Sequence, residues 1–500
     1  MTVLSGGGRR GPNARRGLVR YGTPAGRWVI AASVLGSGIA FLDGTVVNVA
    51  LPAIGRDLHS GLTGLQWTVD GYLLTLGALL LLGGSLGDLY GRRRMFVAGL
   101  LAFTAASALC GIAPSMGALV AARALQGVGG ALLVPGSLAL LAASFAPQDR
   151  GAAVGAWSGL AGVTTALGPF LGGWLVDAVS WRLVFLINLP LAAAAVALTL
   201  RHVPESRDPE ASHRPDLPGA LAATVGLAGI VFALIEWSAE GASARVIASA
   251  VVGVAALVAF PFVERTRVQP LVPLDIFRDS QFVGANATTL TVYAAFGGAL
   301  FLLVLELQQV LGYSALAAGA ALLPITVLML ALSARTAALS QRIGPRLPMT
   351  IGPVVVAAGL VLAAGVGPGD TYAAGVLPAV IVVGLGLALT VAPLTAAVMA
   401  AVEERHVGVA SGVNNAVARI GTLLSVALLP LVGGLGDLAP GDPRYSDGLS
   451  RALLVAAGLC VVGGAVAFAT VRRGADVAPV VQPDVSHACA DPCVREPLAS

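Results

Sequence analysis

The stretch "GGSLGDLYGRRR" (83–94) closes an apolar run with a carboxylate, a glycine and three successive arginines. Arginines placed directly after an apolar segment mark the end of a membrane span and fix the side it faces. A weaker copy returns at "LSQRIGPR" (339–346). Aligned with 86–93, Leu, Gly and the last Arg coincide, and Gln341 stands where Asp88 stands. A span end that recurs in the second half of the chain predicts an internal repeat, an architecture of transporters built around a central site.

The bulk composition agrees. Of 500 residues, 56% are hydrophobic and only 11% charged, with mean hydropathy +0.85. Soluble proteins carry about 25% charged residues, so this chain has too little polar surface for water and takes lipid as its solvent. Its 64 glycines suit helices that approach closely in a bilayer. Every basic residue is Arg, which with the Ala, Gly and Val content reads as codon bias of a GC-rich genome. The net charge of +4 is no nucleic-acid signal. Four cysteines make no disulfide framework, and Cys489, Cys493 and His487 in the tail "HACADPCVREP" are weak as a metal site.

A span needs about 20 predominantly apolar residues. Fourteen runs qualify: 28–52, 65–86, 95–113, 117–141, 152–176, 182–200, 218–237, 244–263, 281–307, 316–338, 348–366, 371–398, 409–432 and 450–471. The first is too long for a signal-peptide core and is read as retained. With the N-terminus inside, arginines favour the inside segments by about four to one. That bias holds only for an even number of spans. The fold class is therefore an all-α integral membrane protein. It divides into a tail (1–27), a six-helix half (28–200), a linker (201–217), two extra helices (218–263), a linker (264–280), a second six-helix half (281–471) and a tail (472–500) read as disordered.

Three ionisable residues interrupt the first half. Asp43 lies in "AFLDGTVVNVALP" (40–52), Asp70 in the second span and Arg123 in the fourth. Rise per residue places all three about 8–14 Å below the outer surface. Each costs about 2.5–3.5 kcal/mol inside a bilayer, so a shared depth points to a shared task. Burial favours a neutral carboxyl and a nearby arginine favours the charged one. A site with both influences can be switched by a proton. The competing reading is a permanent Asp43–Arg123 structural pair. Glu306 either faces the cavity or sits at the headgroup level, with the headgroup slightly favoured, and Glu236 beside Trp237 reads as interfacial.

"GGSLGDLYGRRR" resembles the loop motif of the major facilitator superfamily through Gly84, Leu86, Asp88, Gly91, Arg92 and Arg93. "RALQGVGGA" (123–131) resembles its fourth-span motif, and "LGPFLGG" (167–173) the fifth-span motif of its exporters. "LDGTVVNVALP" (42–52), "QWTVDGYLL" (66–74), "WRLVFLINLP" (181–190), "QQVLGYS" (308–314) and "GVASGVNNAVARIG" (408–421) are similar to the fourteen-span drug:proton antiporters of that superfamily. One departure is Thr164, where the fifth-span motif usually has Gly.

The resemblance implies two six-helix halves that rock around a midplane cavity. It implies proton-driven export of lipophilic drugs or antibiotic-like metabolites, neutral or cationic. Asp43, Asp70 and Arg123 would couple the proton, and Asn48, Gln126 and Glu306 are the candidates for the substrate cavity. Gly84, Asp88, Gly91, Arg92 and Arg93 would form an inner gate. Gly168, Pro169, Gly172 and Gly173 would give the fifth span a bend between the halves. The coupling ion is the proton, with no cofactor and no metal. The expected setting is a bacterial cytoplasmic membrane, with both termini cytoplasmic, the lipid bilayer and the cargo as partners, and a monomeric chain. "NAT" (286–288) falls inside a span, "GLGLAL" (384–389) has no βαβ context, and no P-loop or catalytic triad appears. A proton-symporting importer and a transport-dead sensor are the rival readings.

Overall fold

Each apolar run folds as a helix, because in lipid the backbone must satisfy its own N–H and C=O groups. The computed structural model describes residues 19–208, 215–267, 270–403, 406–436, 438 and 442–472. Within them fourteen helices are long and apolar enough to cross a membrane. These are α1 (Pro24–Asp57), α2 (Leu62–Tyr90), α3 (Arg92–Gly111), α4 (Met116–Ser144), α5 (Pro147–Ala178), α6 (Leu183–His202) and α7 (Leu217–Glu240). There follow α8 (Ala244–Arg265), α9 (Ser280–Val310), α10 (Ala315–Ile343), α11 (Arg346–Ala364), α12 (Tyr372–Ala400), α13 (Val407–Gly433) and α14 (Arg444–Thr470). The tail carrying Cys489, Cys493 and His487 lies outside the described residues.

Most helices overrun the predicted spans by a few residues, because capping groups sit beyond the apolar stretch. Thr23 Oγ1 accepts from Gly26 N at 3.2 Å, with Pro24 opening α1. Ser115, Ser243 and Ser314 cap α4, α8 and α10 in the same way. At Gly91 the chain turns from α2 into α3 with φ +111°, and at Gly344 from α10 into α11 with φ +84°. A side chain is strained at such angles, so the glycine shared by both copies of the repeated motif has a backbone reason.

The packing repeats with an offset of eight helices. The pairs α2–α4, α3–α4, α1–α5, α1–α6 and α3–α6 recur as α10–α12, α11–α12, α9–α13, α9–α14 and α11–α14. The two halves meet along two seams related in the same way, α5–α10 and α13–α2. The extra pair α7–α8 packs through Gly226, Gly229 and Gly253, where any Cβ would strike the partner backbone or Leu257. Helix α7 lies against both α2 and α13. Glu236 of α7 reaches across to α2. It accepts from Trp67 Nε1 of α2 at 2.9 Å.

With fourteen spans among the described residues, the start of α1 and the end of α14 lie on one side, here called the terminal face. The seams are closed at the opposite, far face. There Asp177 of α5 accepts from the backbone N–H of Ala315 and Leu316 at 3.1 and 2.8 Å. Gln66 of α2 donates to the carbonyls of Val426 and Ala427, and Gln308 of α9 donates to Val49 O of α1 at 2.9 Å. Toward the terminal face, residues 158–160 of α5 and 341–343 of α10 are exposed in succession. Residues 341–343 are the end of α10, while the run at 158–160 lies inside α5 and uncovers about 200° of it.

Candidate functional site

The first half carries a closed polar cluster. Arg123 Nη1 of α4 lies 2.5 Å from Asp43 Oδ2 of α1. The same nitrogen donates to Gln126 Oε1 at 2.7 Å, and Arg123 Nε donates to Thr68 O of α2 at 3.0 Å. The other carboxylate oxygen, Asp43 Oδ1, accepts from Gln126 Nε2 at 2.8 Å and Asn188 Nδ2 at 3.2 Å. Asn188 of α6 and Gln126 both also donate to Ser107 Oγ of α3, which passes its own hydrogen to Phe185 O. Tyr72 spreads its ring 4.3 Å from the Arg123 guanidinium carbon. Five helices thus converge on one ion pair, and both Asp43 oxygens are occupied. Buried charge is tolerated when it is paired and its remaining lone pairs are bonded.

Asp70 is the opposite case. It is fully buried, and neither carboxylate oxygen has a hydrogen-bond partner. Helix periodicity explains how it escapes Arg123. Thr68 and Asp70 are two residues apart, about 200° around the helix. The face of Thr68 turns to α4 and the arginine. Asp70 instead shares a face with Gln66, which bonds α13, and with Gly77, which packs on Arg419 and Ile420 of α13. Of three charges expected at one depth, two join and the third lies on the seam between the halves.

The cavity candidates scatter. Asn48 is half-buried and bonds its own helix at Gly44 O. Gln126 is buried within the Asp43 cluster and offers no surface to a cargo in this arrangement. Glu306 is also buried within the protein, and its Oε2 has no partner. It starts a π-helical turn, Glu306–Val310, that ends α9 near Tyr445 and Gln309.

The repeated-motif loop is held by a segment the sequence did not single out. Asp88 pairs with Arg92 at 2.8 Å. Arg92 N donates to Ser206 O, Arg93 N to Glu205 Oε1, and Arg93 Nη1 to Val203 O. A Cβ on Gly91 would press on the Glu205 carboxylate at 2.8 Å. The loop therefore clamps the strand leaving α6, within its own half. Gly84 packs beside Pro135 of α4.

In α5, any Cβ at Gly168 or Gly172 would strike Thr45 or Val46 of α1, and one at Gly173 the backbone of Ala315 and Leu316. Pro169 presents its carbonyl to Gly319 of α10, so this glycine-rich face forms the far half of the seam. The helix runs unbroken through Pro169. Thr164, the departure from the motif, faces Gly38 of α1, which supplies the missing space.

A repeated six-helix packing, two related seams and a glycine-capped loop at each repeat decide the family. The chain belongs to the major facilitator superfamily. The superfamily's model matches residues 33–426. The multidrug resistance protein Stp of Mycobacterium tuberculosis is 37% identical over 407 residues, covering 80% of this chain and 74% of that protein. A probable actinorhodin transporter of Streptomyces coelicolor is 37% identical over 454 residues, covering 86% and 78%. The puromycin resistance protein pur8 of Streptomyces alboniger is 37% identical over 434 residues, covering 85% and 83%. A crystal structure of a POT family transporter aligns with TM-score 0.67 at 13% identity, covering 89% of this chain and 96% of that one. An inward-facing bacterial homologue of the lysosomal transporter Spinster aligns with TM-score 0.62 at 16%, covering 90% and 97%. At such identities the likeness is one of fold.

Sequence reasoning missed Ser107, Asn188, Glu205 and Asp177. The first two are neutral polar residues in apolar runs, with no signal beyond their polarity. Asn188 at least lay inside a quoted motif, "WRLVFLINLP".

Proposed function

We propose that this protein exports lipophilic small molecules across a bacterial cytoplasmic membrane by proton antiport and alternating access. In this reading the terminal face is cytoplasmic and the α5–α10 seam opens and closes toward the cytoplasm. The drug- and antibiotic-resistance names of the relatives support efflux.

One observation carries the proton: Asp70 is buried on the seam with no partner for either oxygen. An ionised carboxylate there bears a desolvation cost of several kcal/mol that nothing offsets. A carried proton removes that cost, and opening the α2–α13 seam lets the proton leave. One proton moving inward releases about 2.3 kcal/mol per 100 mV. Asp43 is the poorer carrier, because a proton on it would break the ion pair and displace amide donors. Arg123 then acts on coupling through the cluster, by fixing α2 at Thr68 beside Asp70.

The test is efflux in everted vesicles. Wild-type protein accumulates a lipophilic dye, and a protonophore collapses that accumulation. Asp70→Asn protein reaches the membrane and does not accumulate dye above background. Undiminished, protonophore-sensitive accumulation in Asp70→Asn removes Asp70 from the mechanism.

A further inference from the structure

The second half contains an arginine, inside the quoted stretch "GVASGVNNAVARIG" (408–421), to which the export reading gives no role. Arg419 is the thirteenth residue of the 27 in α13, about 18 Å along the helix from its start. That is the middle of the membrane. Among the described residues its side chain makes no hydrogen bond or ion pair, and neither does that of Asn415 one turn earlier. Both are only half-buried.

Their direction follows from their neighbours on the helix. One flank of this face packs on α2, with Gly412 against Leu81 and Gly77 facing the Cβ of Arg419 and then Ile420. The other flank packs on α9. Asn414 donates to Thr289 Oγ1 at 2.7 Å, Gly421 lies against Tyr293, and Ser425 Oγ accepts from Gly298 N at 2.6 Å. Asn415 lies between the two flanks and Arg419 at the edge of the α2 flank, in the wedge of α13 bounded by α2 on one side and α9 on the other.

Charge accounting gives the wedge a sign. Asp43 and Arg123 cancel within their cluster. Asp70 has no cation beside its oxygens and is cheapest with a proton bound. Arg419 is left as an uncompensated guanidinium with its planar donors free among the described residues. Such a group costs free energy in the bilayer unless an anion neutralises it. A fork of donors beside an amide suits a carboxylate or an acidic phenol, which accepts two parallel hydrogen bonds.

We propose that Arg419 and Asn415 form the cargo subsite for an acidic group, so that the pump prefers anionic lipophilic molecules over cationic ones. This rests on the export reading above and names the cargo class for it.

Two fluorescent probes of opposite charge test it in energised everted vesicles, carboxyfluorescein as the anion and ethidium as the cation. Wild-type protein takes up carboxyfluorescein in preference to ethidium. Arg419→Gln lowers the ratio of anion to cation uptake about ten-fold or more, as loss of one charged hydrogen-bonded pair would. Arg419→Lys, which keeps charge and loses the fork, falls between the two. Asn415→Leu lowers the ratio by a smaller factor and serves if Arg419→Gln protein does not reach the membrane. Uptake of ethidium without carboxyfluorescein by wild type overturns the inference and leaves the export reading standing. An equal loss of both probes in Arg419→Gln and Arg419→Lys also overturns it, since Arg419 would then serve the transport cycle. Uptake of neither probe by wild type counts against export itself, and the inference falls with it.

Discussion

Asp43 and Asp70 are the same side chain in adjacent helices of one half-bundle, and the fold treats them oppositely. Asp43 has an arginine, two amides and a supporting serine around it. Asp70 has nothing. The first binds five helices into a rigid block. The second sits on the seam where that block meets the other half. A transporter needs both, a unit that moves as one body and a charge whose burial changes when it moves. Where a carboxylate is placed relative to the seam decides which of the two it becomes.

Removing one partner of the satisfied pair gives the largest expected effect. Arg123→Ala leaves Asp43 buried and uncompensated, at a cost of about 3–5 kcal/mol. The expected result is a marked fall in thermal stability of the detergent-purified protein. The double variant Asp43→Asn with Arg123→Gln recovers part of that loss, because no charge is then stranded. Equal instability in the single and double variants would mean that the pair matters through shape alone.

Asp70→Asn comes next and sharpens the contrast from the other side. Stability holds, because no bond is lost, while coupled export disappears. Adding cargo to purified wild-type protein releases protons to a pH dye, and Asp70→Asn releases none. Release by Asp70→Asn would return the proton to Asp43 or Glu306.

A third prediction concerns the seam. Asp177→Ala removes two charge-assisted bonds to α10, worth about 1.5–3 kcal/mol each. The far face then opens more often. Spin labels at Val179 and Ala317 report a longer distance or a broader distribution than in wild type. An unchanged distribution would show that the glycine contacts alone close this face.

The smallest effect is expected from Asn188→Ala. One of two donors to Asp43 Oδ1 is lost while Gln126 remains, at a cost of about 1 kcal/mol. Export should persist, measured as dye accumulation. Loss of export with full stability would make Asn188 part of the proton path, and would blur the line between the two aspartates.

Much of this molecule was legible along the chain. Fourteen apolar runs gave fourteen spans, because a helix in lipid needs only length and hydropathy. The paired glycines at 91 and 344 announced the repeat, because a positive φ admits little else. The site was legible in part. Asp43, Asp70 and Arg123 stood out because charge is rare in such runs. Ser107 and Asn188 did not, since a neutral polar residue in an apolar stretch bonds its own backbone as readily as a distant carboxylate. Gln126 was read as facing cargo for the same reason, and Glu205 and Asp177 were lost among ordinary end-of-span charges.

The sequence by itself determined how many helices are long and apolar enough to cross the membrane, that the chain repeats, and which spans carry a charge. These are properties of one helix at a time, set by hydropathy, spacing and rise. Only the tertiary structure decided which aspartate is paired. The angle between Thr68 and Asp70 is written in the chain, but the identity of the helix on each side is not. Helix α4 came to lie on one face of α2 and α13 on the other, and that arrangement left Asp70 and Arg419 without partners at the boundary between the halves.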